Sequence, residues 1–141
     1  MDTHRQAGDE HAARTSPYPD GQPKPMRFAL VVSAAPDVRA QPLHFAAALL
    51  GAGHALPRVF FLRDGVRHGL PGSAVAESWL QLQARHPAVE LALCIGAAER
   101  RAIPTAAGDA SASTGHGFVH VGLGQLVAAL AEADRVVDFP A

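Results

Sequence analysis

The sequence predicts an α/β fold: a three-layer α/β/α sandwich around a five-stranded parallel sheet, flavodoxin-like in appearance. Two observations carry this. Short apolar runs alternate strictly with helical patterns, five of the first and four of the second, which is the signature of a parallel sheet with right-handed crossovers. The strongest runs are also continuously apolar rather than alternating, as expected of strands buried on both faces.

Arg27–Ser33 (Arg-Phe-Ala-Leu-Val-Val-Ser) is the first such run. Pro36–Pro42 reads as a loop, and Pro42 suits the first turn of a helix. That helix carries Leu43, Phe45, Ala46, Leu49 and Leu50 and is expected to stop at Gly51 and Gly53. Arg58–Leu62 is the second strand, and Arg63–Gly72, with three glycines, reads as a turn-rich loop. Ser73 is placed to cap a helix. Val75, Trp79 and Leu82 then mark one helical face, and Pro87 ends it. Val89–Cys94 is the third strand. A short helix is expected over Ile95–Ile103 and a mobile loop over Pro104–Gly117, which is rich in Ala, Ser, Thr and Gly. Phe118–Val121 is the fourth strand. Leu123, Leu126, Val127 and Leu130 have the spacing of an amphipathic helix, and Arg135–Phe139 is the fifth strand.

Residues 1–25 differ from the rest. They hold no Val, Ile, Leu or Phe but four prolines, Pro17, Pro19, Pro23 and Pro25. Such a segment buries too little apolar surface to offset its ordering entropy. It is expected to be a disordered tail before a domain at 26–141. The net charge of −1 gives no basic stripe for nucleic acid. No apolar run approaches the ~20 residues of a membrane span. Met1–Arg5 lead into no apolar signal segment. One cysteine excludes an internal disulfide and fits a reducing compartment. The expected location is the cytoplasm.

Cys94 is the candidate catalytic residue. It ends the third strand and precedes a helix, at the edge of an open α/β sheet where ligand sites form. The amino end of a helix favours an anion such as a thiolate, the reactive form of cysteine. Burial statistics pull the other way, because a cysteine between Leu93 and Ile95 is commonly inert core. The residues alone leave both readings open. A cysteine hydrolase would need a histidine in reach, and His68 or His116 could come from loops on that edge. Arg100 and Arg101 are placed either to favour a thiolate or an acidic partner, or to stand solvated at a helix end.

No cofactor or metal site is expected. The loop Ser33–Ala40 lacks the glycines of a dinucleotide fingerprint and the Gly-Lys-Ser/Thr of a P-loop, as well as the Ser/Thr-rich loop of a flavin site. No Gly-x-Ser-x-Gly elbow is present. A phosphoacceptor aspartate would stand where Cys94 does. His116 and His120, read as part of a strand, would lie about 13 Å apart, too far to share one ion. Solvent-facing histidines are the expectation.

The chain from Met26 to Phe139 resembles the DsrE family, its TusD-like members in particular. The resemblance is carried by Met26–Val32, by Val59-Phe60-Phe61-Leu62-Arg63-Asp64-Gly65-Val66, by Leu93-Cys94-Ile95-Gly96-Ala97-Ala98-Glu99-Arg100-Arg101, by Gly117-Phe118 with Gly122-Leu123-Gly124-Gln125-Leu126, and by Ala133-Asp134-Arg135-Val136-Val137. The loop at Pro104–Gly117 matches poorly. The resemblance implies a sulfurtransferase of a sulfur relay. Cys94 would accept sulfane sulfur as a persulfide and pass it to a partner thiol, in tRNA 2-thiouridine synthesis or in sulfur oxidation. It also implies a heterohexamer with homologous TusB- and TusC-like (DsrF- and DsrH-like) subunits, a TusA-like donor and a TusE- or DsrC-like acceptor. Two other readings stand beside it: a non-catalytic assembly subunit of the same fold, and a small-molecule-binding flavodoxin-like module, which the missing phosphate loop disfavours.

Overall fold

The computed structural model describes residues 24–104 and 117–141. The expectations for the tail at 1–25 and for the loop at 104–117 fall almost entirely outside these residues. Among them the elements run β1 (Arg27–Val32), α1 (Gln41–Gly51), β2 (Ala55–Phe61), a 3-10 helix (Arg63–Gly69), α2 (Ala74–Arg85), β3 (Glu90–Cys94), α3 (Ile95–Arg100), β4 (Phe118–Val121), α4 (Leu123–Glu132) and β5 (Arg135–Phe139). All strand pairs are parallel, in the order β4-β3-β2-β1-β5. The chain therefore steps one way from β1 to β4 and returns across the sheet through α4. No helix described is long and apolar enough to cross a membrane.

Strand alternation sorts the core into two layers. Leu30, Val32, Val59, Phe61, Leu91, Leu93 and Phe118 face Ala46 and Leu49 of α1, Ala76, Trp79 and Leu82 of α2, and Ala97 and Ala98 of α3. Phe60, Ala92 and Val121 face the opposite way, onto Leu126 and Ala129 of α4. The second layer is thin. The apolar spacing on α4 predicts a buried face, yet Leu123 is 58% and Val127 67% exposed. Of α4 only Leu126 and Ala129 pack on the smaller cluster, so Leu123 and Val127 face outward; Val136 of β5 is exposed as well.

α3 ends at Arg100 rather than at Ile103, and three further departures from the sequence reading have a local cause. β2 begins at Ala55, upstream of Arg58. Arg27 pairs with Ala55 but Ala29 with Arg58, so β2 carries one extra residue around Leu56-Pro57. A bulge is where a strand tolerates proline. It also keeps Leu56 on the same face as Val59 and Phe61. α1 includes Gly51 and turns at Gly53, whose φ of 91° needs glycine. Arg63–Gly69 is a 3-10 helix rather than an irregular loop.

Side chains fix the register at both sheet edges. Asp134 Oδ2 accepts from the Arg27 N–H at 2.9 Å, and the Asp134 N–H donates to the Arg27 carbonyl at 2.8 Å. The buried Gln83 donates to the Val89 carbonyl at 2.9 Å and accepts from the Gly117 N–H at 2.8 Å. It thus ties α2 to the start of β3 and the approach to β4. Ser73 caps α2 as expected, its Oγ accepting from the Ala76 N–H at 3.2 Å. Ser73→Ala is expected to cost about 1 kcal/mol, measurable as a lower denaturant midpoint at unchanged m-value.

Candidate functional site

The carboxyl ends of β1, β2 and β3 share one edge of the sheet. Gly65 brings the first two together. A Cβ built on Gly65 would stand 1.9 Å from the Val32 carbonyl oxygen, so only glycine lets the 3-10 helix lie on the end of β1. This fixes Asp64 beside α3. Arg101 Nε donates to Asp64 Oδ1 at 2.9 Å, and Arg101 Nη1 donates to the Ala97 carbonyl at 3.2 Å. The hydrogen bond from Arg101 holds the Asp64 carboxyl below the usual carboxylate range, with the charges of Arg101 and Arg67 acting the same way. Arg67 lies 3.7 Å from Asp64. The clasp joins the exit of β2 to the end of α3, on either side of Cys94.

Cys94 is the last residue of β3 and the N-cap of α3, pairs in register with Val121, and is half-buried. It packs against the larger core cluster but is not sealed in it, and the adjacent Ile95 is 41% exposed. A partly exposed thiol can be reached from solvent or by a partner, which a sealed core cysteine cannot. The helix behind it has six residues, so dipole support for an anion is weaker than a long helix would give.

The two arginines part ways. Arg101 is 21% exposed and committed to Asp64. Arg100 is exposed and pairs with no carboxylate among the described residues. Its side chain runs back toward the start of α3, as helical side chains do, and its guanidinium lies over Gly96: a Cβ there would stand 3.4 Å from Arg100 Nη1.

His68 is not a base for Cys94. It is 2% exposed, between Phe61 and Trp79. The Trp79 indole, a donor only, gives its Nε1–H to His68 Nδ1 at 3.1 Å. The other ring nitrogen, Nε2, therefore carries the hydrogen and donates to the Ala34 carbonyl at 3.2 Å. Both nitrogens are used and the ring is neutral, its pKa pushed down by burial against a smaller upward pull from the Ala34 bond. His116 lies outside the described residues. His120 also departs from the solvent-facing expectation. Its Nε2 is buried with no hydrogen-bond partner among the described residues, and burial lowers its pKa against the opposing charge of Glu99. The ring borders an apolar recess of about 180 Å³ between Leu80, Leu93 and Phe118.

Both lowered histidine pKa values predict the same pH response. Below about 6.5 the unfolded chain takes up these protons and the folded chain resists. Stability is fully present above that pH and is lost as pH falls from there toward the folded-state values. The slope is at most about 1.4 kcal/mol per pH unit for each histidine. Thermal midpoints between about pH 7.5 and 5 should fall in the wild type and fall less steeply in His68→Gln.

A recess of about 490 Å³ opens at the opposite edge, under α4, between Phe28, Pro57, Gln125 and Ala129. Its charges are mutually paired, Arg58 with Glu90 and Arg27 with Glu132 at 3.8 Å. Its lining carries no thiol, hydroxyl or imidazole, only the paired carboxylates Glu90 and Glu132.

The sequence resemblance has an independent counterpart. The profile of the DsrE/DsrF-like family matches residues 26–139, which span every strand and helix described. The parallel five-stranded α/β architecture is the one that family implies. The chain belongs to the DsrE/DsrF-like family, which is linked to sulfur transfer.

Proposed function

We propose that this protein is a sulfurtransferase that carries sulfur as a persulfide on Cys94. The observation that carries the reading is the placement of the only cysteine in the chain: half-buried, at the carboxyl end of β3, where the fold collects chemistry. The reaction needs one thiol here. The Cys94 thiolate attacks the outer sulfur of a donor persulfide, and the donor leaves as its thiolate. An acceptor thiolate then attacks the outer sulfur on Cys94. Each step exchanges one S–S bond for another, with no net oxidation and no resolving cysteine in this chain.

Donor and acceptor are thiol-bearing proteins in this reading, TusA-like and TusE- or DsrC-like. The sulfur goes on to tRNA thiolation or to sulfur oxidation. Homologous TusB- and TusC-like subunits complete a heterohexamer. The exposed apolar residues Leu123 and Val127 of α4 and Val136 of β5 support such packing.

The reading is tested by a relay assay with isotopically labelled donor persulfide and a separate acceptor thiol. Label should reach the acceptor through the wild type and not through Cys94→Ser. Equal transfer through both proteins would reduce the chain to an assembly subunit.

A further inference from the structure

We infer that the face made by the 3-10 helix and α3 is a docking surface for an acidic protein, which it holds through Arg63, Arg67 and Arg100. This names the surface chemistry of the thiol-bearing partner in the sulfur-carrier reading, on which it rests. The 3-10 helix leaves the end of β2 and α3 leaves the end of β3, and the Arg101–Asp64 hydrogen bond holds the two together. Between them they carry four arginines, Arg63, Arg67, Arg100 and Arg101, against the carboxylates of Asp64 and Glu99. Asp64 is spent on Arg101, with Arg67 3.7 Å away. Glu99 acts on His120 and forms no ion pair among the described residues. Arg63 and Arg100 are exposed and likewise without an ion pair among those residues. The face keeps a positive surplus on a chain whose net charge is −1.

Arg63 carries a second mark. Its φ is 53°, in the left-handed region that favours glycine. An arginine there bears backbone strain that glycine would not, and no ion pair among the described residues offsets it. A charged side chain held outward at such a position is suited to a contact outside the chain.

Ile95, the first residue of α3, is 41% exposed, and the Arg100 guanidinium lies over the next residue, Gly96. An apolar side chain bordered by guanidinium groups has the composition of a protein interface, with its apolar centre and its arginine-bearing polar rim. Guanidinium pairs carboxylates through two parallel hydrogen bonds. Each exposed pair contributes little, but together they steer an acidic partner into encounter. A contact of this kind forms quickly and releases readily, as a partner that leaves after one exchange requires.

The test uses two peptide persulfides as probes, one with glutamates flanking its cysteine and the other with glutamines. The glutamate peptide should load the wild type about tenfold faster at low salt, and the advantage should fade at about 0.5 M salt. Arg63→Gly, Arg67→Gln and Arg100→Gln should each cut it about threefold. Arg63→Gly should do so with an equal or higher melting temperature, which separates lost docking from lost structure. Arg135→Gln, exposed at the opposite end of the strands, should leave the advantage intact. Equal loading by the two peptides at low salt, with Cys94→Ser unloaded, would overturn the docking surface and leave the carrier reading standing. So would a full glutamate advantage in all three arginine variants. Stronger competition by an RNA oligonucleotide than by polyglutamate of equal charge would make the face a nucleic-acid site and overturn the acidic-protein assignment. No loading of the wild type by either peptide, or equal loading of Cys94→Ser, would overturn both.

Discussion

Gly65→Ala is expected to destabilise the protein by about 4 kcal/mol or more, a large share of the ~5–15 kcal/mol that holds a typical domain folded. The added methyl would meet backbone: the Val32 carbonyl oxygen at 1.9 Å and its carbon at 2.7 Å. Neither atom belongs to a flexible side chain that can swing away. Val32 is fully buried in β1, and its carbonyl accepts from the Leu62 N–H at 2.9 Å. Relief therefore requires the 3-10 helix to lift off β1, which pulls Asp64 from Arg101. Chemical denaturation should show the loss, and the surviving folded fraction should show a weakened Asp64–Arg101 clasp. Gly51→Ala is the matched comparison. Nothing lies within 4 Å of its added Cβ, and alanine is the better helix former. It should leave stability unchanged or raise it by up to about 1 kcal/mol. Similar losses at both positions would remove the close-approach argument.

Cys94→Ser is expected to abolish sulfur acceptance completely while leaving the fold in place. The exchange is nearly isosteric and the side chain is half-buried, so the stability change should stay within about 1 kcal/mol. A hydroxyl at this position holds its proton at neutral pH and does not form a persulfide. Coincident circular dichroism and melting curves for the two proteins, with transfer confined to the wild type, are the expected pair of results. Residual transfer in Cys94→Ser above the rate of an unrelated thiol-free protein would place the acceptor elsewhere.

Much of the architecture was legible because parallel strands buried on both faces leave continuous apolar runs. Arg27–Val32 and Glu90–Cys94 could be read nearly to the residue for that reason. Ser73 as a cap was equally plain, since its role is local. What escaped is non-local. The start of β2 was hidden by Pro57, which is tolerated only through a bulge defined against β1. The 3-10 helix carries charges and glycines without a helical apolar face, and it is held by the contact of Gly65 with β1. The spacing on α4 gave the helix correctly but not its burial, because burial depends on how closely the returning element settles on the sheet.

The site divides in the same way. The place of Cys94 at the end of β3, before a short helix, was legible in the sequence. The fate of His68 was not, although a buried indole needs an acceptor and Trp79 lies eleven residues further along. No one-dimensional signal separates Arg100 from Arg101. They part only when Asp64, thirty-seven residues upstream of Arg101, arrives beside one of them.

The central claim is that Cys94 carries sulfur. Its most direct test is intact-protein mass spectrometry of the full chain after exposure to a persulfide donor, followed by peptide mapping. The account predicts a gain of one sulfur atom, reversed by reductant, located on the peptide that contains Cys94 and absent from Cys94→Ser. A folded wild-type protein that gains no sulfur from a donor able to load another thiol carrier would contradict it.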